Sequence, residues 1–489
     1  MECPSLLGEV LRYVLTNSFQ PMTSFYHSLK NVIKLFRQAI SGKEIDYTKG
    51  SIRKAIFLLS VPMILEMCME SIFALVDIAF VSRISTNAVA TIGLTESVIT
   101  LVYALAVGLS MAATAVVARR IGEKDASGAN RAAVQVIILG ILVAAIVSVF
   151  GILYPKEILN LMGGEHDLIE EGYRYTQILF GGNITIVLLF LINAVFRGAG
   201  NASMAMWVLI LSNGLNIILD PIFIFGLGPI PEYGVAGAAI ATTIGRGVAV
   251  LFQLLVLFYG ATRIKLAVKD IGINISVMWN LIKVSLGGIG QFIIGTSSWI
   301  FLMRIISEFG SEVLAGYTIS IRIIMFTLMP AWGMSNAAAT LVGQNLGAKK
   351  PDRAEISVWK TGKYNAWFMF FVSICYLAFA ETIISWFSPQ ADIIEYGALS
   401  LQIIAAGYVF YAYGMTINNA FNGAGDTKTP TVINFFCFWV LQLPFAYIAA
   451  FWWDWGPKGV FWAVTIAEVL IAVIAMLWFK KGTWKQVDV

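Results

Sequence analysis

Charged residues, histidine and cysteine are all scarce in this sequence. Only 13% of the 489 residues are charged, and there are two histidines and four cysteines. A soluble globular domain carries about 25% charged residues, so the composition argues against one. The histidines, His27 and His166, lie outside the apolar segments, and the cysteines follow no metal-binding or redox spacing. We therefore expect no metal centre, no cofactor and no enzymatic active site.

Long apolar segments take the place of the missing charge. Apolar residues make up 58% of the chain, and the mean hydropathy is +0.79. Segments of about 20 residues or more, long enough to cross a ~30 Å hydrocarbon core, recur along the whole length. The pattern predicts an all-α membrane protein with twelve transmembrane helices. They lie near residues 55–81, 88–117, 132–154, 175–196, 203–227, 235–259, 278–303, 313–341, 364–386, 397–420, 430–452 and 459–479.

Basic residues are concentrated in the connections on one side of these spans. The richer side includes Arg119, Arg120, Lys349, Lys350 and Lys480, whereas the opposite side holds only Arg83, Lys156, Arg174 and Lys458. Connections rich in lysine and arginine face the cytoplasm. We therefore predict an integral protein of the plasma (inner) membrane, with both termini in the cytoplasm.

The residues before the first span contain a basic amphipathic segment. The stretch "HSLKNVIKLFRQAI" places five apolar residues at helical spacing beside lysine and arginine: Leu29, Val32, Ile33, Phe36 and Ile40. A helix of this kind lies on an anionic membrane surface. We predict such a helix on the cytoplasmic leaflet. Met22 offers an alternative start of the chain.

The two halves of the chain repeat each other. The segment "AATAVVARRIGEKD" at 112–125 aligns without gaps with "AAATLVGQNLGAKK" at 337–350, which pairs Gly122 with Gly347 at an offset of 225 residues. At the same offset "NAVFRGAGN" aligns with "NNAFNGAGD", and "YGVAGAAIA" with "KGVFWAVTI". A parallel duplication of six spans predicts two lobes around a central cleft, the layout of alternating-access transporters.

The repeat divides the chain into five parts. They are an extension (1–50), an N-lobe with helices 1–6 (51–260), a cytoplasmic linker (261–277), a C-lobe with helices 7–12 (278–480) and a cytoplasmic tail (481–489).

The intramembrane acids do not follow the repeat. In the first half they are Glu66, Glu70, Asp77, Glu96 and Asp220, and the positions 225 residues later hold Gln291, Gly295, Leu302, Ile321 and Phe445. A carboxylate at membrane depth is costly and usually functional. Packing alone would require these acids equally in both halves, so the asymmetry indicates a functional site in the N-lobe.

Helical spacing places several of these acids on shared faces. Glu66, Glu70 and Asp77 fall within about 40° of one another on the first helix. Asn216 and Asp220 are four residues apart on the fifth, and Pro221 frees a backbone carbonyl beside them. Oxygen ligands of this kind suit Na⁺, and clustered carboxylates equally suit a proton.

Five sequence features resemble the multidrug and toxic compound extrusion (MATE) family. They are "VPMILEMCMESIFALVDIAFVSRI", "VARRIGEKD", "NAVFRGAGN", "NIILDPIFIFG" and "GVAGAAIAT". The resemblance implies a twelve-helix antiporter that exports cationic or amphipathic organic compounds in exchange for Na⁺ or H⁺.

The resemblance also implies a set of site residues. By position, the family's coupling-cation site matches Asp77, Asn193, Asn216, Asp220 and Thr242, with a helix kink at Pro221. Glu66 and Glu70 are additions to the family pattern, which we treat as accessory acids for substrate cations or a proton path.

Aromatic and methionine side chains are the candidates for the substrate cleft, because they accommodate varied apolar cations. These are Trp299, Phe326, Met329 and Trp332. The partners expected are small organic cations or amphipathic drugs and the lipid bilayer, with no nucleic acid, and the protein is expected to be a monomer.

Other functions remain open from the sequence. A flippase for lipid-linked saccharides of similar architecture would need a cationic cleft, for which Arg246, Arg304 and Arg322 are available, although the acidic N-lobe argues against it. A membrane-embedded enzyme lacks a visible catalytic constellation, and a pore lacks a repeated filter-like loop.

Overall fold

A computed structural model describes residues 30–42, 45–81, 83–260, 262–267 and 271–489. All secondary structure in these ranges is helical. Leu29 and Met22 lie outside the described residues, and helix α1 covers residues 30–40. Val32, Ile33 and Phe36 of α1 are exposed (50%, 45% and 41%), as expected for side chains that face a membrane surface.

Eight helices form the N-lobe. They are α2 (Ile52–Val81), α3 (Thr86–Glu123), α4 (Ala126–Leu153), α5 (Pro155–Leu161), α6 (His166–Gly181), α7 (Asn183–Ala199), α8 (Ala202–Phe225) and α9 (Val235–Tyr259).

The C-lobe begins after the linker. Its helices are α10 (Ile275–Ser307), α11 (Ser311–Gly347), α12 (Pro351–Ser385), α13 (Ala391–Ala406), α14 (Tyr408–Ala424), α15 (Lys428–Asn434), α16 (Leu443–Tyr447) and α17 (Pro457–Lys481). Two π-helical stretches, Phe435–Gln442 and Ile448–Trp452, join α15 and α16 into one membrane-length rod, and Thr483–Gln486 forms a final 3₁₀ turn.

The prediction of an all-α membrane protein with twelve spans is confirmed. Within the described residues, eleven helical segments are long and apolar enough to cross a membrane. The pair α13 and α14, bent by 57° at Gly407, supplies the twelfth.

The backbone repeats with the sequence. The break between α6 and α7 lies at Gly182, and the break between α13 and α14 lies 225 residues later at Gly407. At the same offset, Lys124 (φ 63°) and Lys349 (φ 56°) both adopt the left-handed conformation. Non-glycine residues seldom do so, and its recurrence at equivalent helix ends shows that the two lobes share their local geometry.

The lobes meet closely at the end of the bundle that carries Lys124 and Lys349, which we call the basic end. A Cβ atom on Gly122 would overlap the carbonyl oxygen of Gln344, and one on Gly347 would overlap the carbonyl oxygen of Arg119. Glycine at these positions allows α3 and α11 to approach backbone to backbone.

The segments outside the spans reinforce this contact. Lys350 Nζ of the C-lobe donates to the carbonyl of Thr48 (2.9 Å), and Arg119 Nη2 of the N-lobe donates to the carbonyl of Val487 (2.7 Å). Trp484 is fully buried and stacks on Phe479. The residues after α17 are therefore packed across both lobes.

Candidate functional site

Asp77 and Asp220 form the centre of a polar group inside the N-lobe. Asp77 lies on α2 and Asp220 on α8, and the two carboxylates interact electrostatically. Asp220 is fully buried. The Oδ1 atom of Asp77 is also buried and has no hydrogen-bond partner among the described residues. Two carboxylates that repel each other, one of them with an unpaired oxygen, form a site that a cation or a proton would stabilise.

Asn216 and Thr242 complete the group from α8 and α9. In the amide orientation that satisfies both neighbours, the Asn216 nitrogen donates to Asp220 Oδ2 at 2.8 Å. Its oxygen accepts from the Thr242 backbone N–H and from Thr242 Oγ1, each at 3.0 Å. Asn216 is 3% exposed and Thr242 8% exposed. The structure thus brings together four of the five residues predicted for the coupling cation.

The sequence of α8 explains how Asp220 reaches this position. Asn216 and Asp220 share one helix face, and the helix continues through Pro221 to Phe225. Pro221 has no N–H, so the carbonyl of Ile217 lacks its usual intrahelical donor. The Ile217 carbonyl, one helical turn before Pro221, is therefore a further oxygen acceptor.

Arg246 adds a positive charge to this group. It was not among the residues predicted from the sequence for the coupling-cation site. Its side chain is 7% exposed, lies over the Phe73 ring at 5.8 Å and donates to Tyr103 OH at 3.4 Å. It interacts electrostatically with Asp77 and Glu70. The signal was present in the sequence, because Arg246 follows Thr242 by four residues inside an apolar span and so lies on the same face.

Asn193 belongs to a second polar group. Its Oδ1 accepts from Gln253 Nε2 at 2.7 Å, and its Nδ2 donates to Glu66 Oε1 at 3.4 Å. Glu66 and Asp77 are eleven residues apart on α2, which separates them by about 16 Å along the axis. The structure therefore places Asn193 with Glu66 rather than with the Asp77–Asp220 pair.

Glu66 forms a buried ion pair with Arg197. Arg197 Nη1 lies 2.7 Å from Glu66 Oε1, and the two side chains are 12% and 2% exposed. The Glu66 Oε2 atom is buried without a hydrogen-bond partner in the described part of the chain. Arg197 lies in the last turn of α7, which directs its side chain to the interface between the lobes.

A cavity of about 250 Å³ lies between the lobes beside this second group. Glu66, Glu70 and Arg197 line it from the N-lobe, and Met329 and Trp332 line it from the C-lobe. Glu70 interacts electrostatically with Glu66 and Arg246. It therefore links the two polar groups.

A second cavity of about 420 Å³ continues into the C-lobe. Trp299, Met329 and Trp332, three of the residues predicted for the substrate cleft, line it together with Glu468 on α17. The fourth residue predicted for the cleft, Phe326, is 41% exposed and is not among the lining residues of either cavity.

The C-lobe positions equivalent to Asp77 and Asp220 belong to the apolar core. Leu302, the counterpart of Asp77, is 3% exposed and belongs to the C-lobe hydrophobic cluster. Phe445, the counterpart of Asp220, packs against the same cluster. The Asp77–Asp220 group consequently has no equivalent at these positions of the second lobe.

Comparisons with known proteins agree with this architecture. The family model for MatE matches residues 62–222 and again residues 289–448, one match in each lobe. The probable multidrug resistance protein NorM of Thermotoga maritima is 28% identical over 454 residues, which make up 92% of this chain and 96% of that protein.

Solved structures share the fold over nearly the whole chain. An outward-facing multidrug resistance MATE family transporter has a TM-score of 0.85 at 28% identity, with 91% of this chain and 99% of that chain covered. A transporter of the MOP superfamily from Pyrococcus furiosus, described as having a binding pocket of reverse polarity, has a TM-score of 0.84 at 27% identity and the same coverage. This chain is therefore a member of the MATE family of multidrug efflux transporters.

Proposed function

We propose that this protein is a secondary active transporter that exports organic, often cationic compounds in exchange for Na⁺ or H⁺ by alternating access. The observation that carries the proposal is the Asp77–Asp220 pair, in which Asp220 is fully buried and Asp77 has a buried, unpaired oxygen. If an intramembrane carboxylate pair had only a structural role, each of its buried oxygens would accept a hydrogen bond from a protein donor. Here one acceptor is left for a transported ion.

The charge of the two cavities favours cationic substrates. Two carboxylates and one arginine line the interlobe cavity, namely Glu66, Glu70 and Arg197. Glu468 is the one aspartate, glutamate, lysine or arginine among the residues that line the C-lobe cavity. With all these groups ionised, each cavity carries one net negative charge. A lipid pyrophosphate would be repelled, so a flippase is the less favoured function.

Exchange follows from the competing needs of ion and substrate. Arg246 offsets one of the two carboxylate charges of Asp77 and Asp220. Binding of one Na⁺ or H⁺ then neutralises the group, which lowers the cost of burying it in a dehydrated lobe. The affinity of this state for the substrate then falls, the substrate leaves, and the lobes move to the opposite state. The coupling free energy cannot exceed the difference in affinity that the ion and the substrate each show for the two states.

The structure corresponds to one state of this cycle. The lobes are in backbone contact at Gly122 and Gly347, so the basic end is closed. The outward-facing relative has a similar fold, with a TM-score of 0.85. If the basic end is cytoplasmic, this state would receive the coupling ion from outside and release the substrate there.

Transport in proteoliposomes tests the proposal. Efflux of a fluorescent organic cation is measured under an imposed Na⁺ gradient and, separately, under a pH gradient, for the wild type and for Asp220→Asn. The variant Asp167→Asn, at an exposed surface carboxylate, serves as the control. Efflux driven by one gradient and lost only in Asp220→Asn would support the proposal and identify the ion.

Two results would contradict it. Gradient-driven efflux that persists in Asp220→Asn would remove Asp220 from the coupling site. A wild type that ignores both gradients but translocates a lipid-linked saccharide would favour the flippase.

A further inference from the structure

Glu468 is a carboxylate of the C-lobe that the coupling site does not use. It lies on α17, in the middle of a membrane span, and it lines the same cavity as Tyr411 on α14, with which it interacts. The repeat-related position in the N-lobe holds Thr243. The C-lobe has therefore placed a charge where its counterpart has a neutral hydroxyl.

No basic side chain lines the cavity beside this carboxylate. The lining residues, all within the described chain, include no lysine, arginine or histidine. A carboxylate at membrane depth without a counter-charge is costly. Its position on a cavity wall, rather than against a basic residue, leaves room for a cation supplied by a ligand.

Two further polar atoms of the same cavity are unpaired. Asn418 Oδ1 and Tyr317 OH are both buried and have no hydrogen-bond partner among the described residues. In the N-lobe, the Oδ1 atom of Asn193, the counterpart of Asn418, accepts from Gln253. The position equivalent to Gln253 is Trp478, so the acceptor satisfied in one lobe is left open in the other.

The rest of the wall is aromatic and sulfur-rich. Trp299, Trp332 and Phe438 supply ring faces, and Met325, Met329 and Met415 supply adaptable thioethers. Aromatic faces attract cations, and methionine packs against varied shapes. A volume of about 420 Å³ falls within the range of small-molecule sites.

We propose that the C-lobe cavity is the binding site for a lipophilic organic cation, with Glu468 as its counter-charge and Asn418 as acceptor for an ammonium N–H. The inference rests on the proposed export of organic cations and assigns the subsite that holds them. The two lobes then bind different ligands: the N-lobe carboxylates bind the coupling ion, and the C-lobe carboxylate binds the substrate.

Equilibrium binding to the purified full-length protein in detergent tests this assignment. The probes are tetraphenylphosphonium and the neutral, similarly shaped triphenylphosphine oxide. Glu468→Gln is expected to weaken phosphonium binding about tenfold or more, because a desolvated charge partner is lost, and to change binding of the oxide less than twofold. Glu381→Gln, at an exposed carboxylate on α12 of the same lobe, is the matched control.

A labelling experiment on the wild type keeps the test independent of the variant's folding. An apolar carbodiimide should modify Glu468, identified by mass spectrometry, and tetraphenylphosphonium should protect it while the oxide should not. Glu468→Asp, which keeps the charge but shortens its reach, should retain part of the phosphonium selectivity.

The outcomes separate this inference from the proposed function. Equal phosphonium binding by Glu468→Gln and wild type, or no binding by the wild type, overturns the subsite. If Glu468→Gln loses gradient-driven transport but binds phosphonium as the wild type does, the subsite is also overturned, because Glu468 would then bind the coupling ion. Selective loss in Glu468→Gln supports the subsite even if neither gradient drives transport, a result that would instead refute the proposed exchange.

Discussion

Gly122 and Gly347 occupy equivalent positions in the two lobes, and each lies against the backbone of the opposite lobe. Gly122 contacts the carbonyl of Gln344, and Gly347 contacts the carbonyl of Arg119. Arg119 and Gln344 are themselves related by the 225-residue repeat. The two contacts are therefore one contact made twice about a local two-fold axis, and they close the basic end.

Gly122→Ala is expected to shift the protein away from this closed state. The added methyl would overlap a backbone oxygen, and overpacking of this kind costs about 1–3 kcal/mol. Spin labels at Lys124→Cys and Lys349→Cys, both exposed at the basic end, should report a longer mean distance in the variant.

Gly93→Ala provides the matched control, because it lies on the same helix and an added Cβ would have no neighbour within 4 Å. It should leave the label distance unchanged. An unchanged distance in Gly122→Ala as well would show that the glycine contact does not set the conformation.

Thr242→Val should weaken binding of the coupling ion without removing any charge from the site. The Thr242 hydroxyl donates to Asn216, which in turn donates to Asp220. Loss of one buried polar partner costs about 1–3 kcal/mol, so the ion concentration for half-maximal transport should rise about tenfold. The maximal rate at saturating ion should be largely retained.

Thr243→Val distinguishes the two neighbouring threonines. The Thr243 side chain faces Gly182 rather than Asn216, so its replacement should leave the ion dependence unchanged. If Thr243→Val raised the ion concentration for half-maximal transport more than Thr242→Val, the assignment of Thr242 to the site would be wrong.

Removing one partner of the buried Glu66–Arg197 pair should strongly lower the free energy of unfolding. Arg197→Met leaves Glu66, 2% exposed, without its counter-charge. Breaking a buried pair costs about 3–5 kcal/mol, measurable as a lower free energy of unfolding in a detergent–SDS titration. The double variant Glu66→Gln/Arg197→Met should recover most of the loss.

An exposed ion pair serves as the comparison. Lys156 Nζ lies 2.6 Å from Glu170 Oε1, but the two side chains are 45% and 48% exposed. Lys156→Ala should not measurably change unfolding. If the Glu66–Arg197 double variant were as unstable as Arg197→Met, the loss would arise from packing rather than from an unpaired charge.

Helix α1 should rest on the lipid surface through its apolar face. An environment-sensitive fluorophore at Phe36→Cys should show blue-shifted emission in liposomes, because that face is expected to lie among acyl chains. The same label at Lys34→Cys should emit as in water. Equal emission at both positions would contradict a surface-bound helix.

Several properties could be predicted from the sequence because they depend on local patterns. Runs of apolar residues identified the helices that cross the membrane, and the offset between Gly122 and Gly347 identified two equivalent lobes. The spacing of Asn216 and Asp220 predicted their shared face, since helix periodicity is fixed by the backbone. The predicted role of these residues in ion coupling stays a prediction.

Other features depend on which helix faces meet. Glu66 and Arg197 are 131 residues apart, and neither spacing nor hydropathy indicates that they pair. Asn193 joins them rather than Asp77 because α2 rises about 16 Å between Glu66 and Asp77. Only the packing of α17 against α14 places Glu468 beside Tyr411 on a cavity wall.

The sequence by itself determined the number of spans, the duplication and the restriction of the Asp77–Asp220 carboxylates to one lobe, because hydropathy, repeat and helical period are properties of the chain. The tertiary structure decided which charges are neutralised and which are left for a ligand. That outcome depends on the rotation and depth of each helix, which are set by contacts such as Gly122 with Gln344 between residues far apart in the chain.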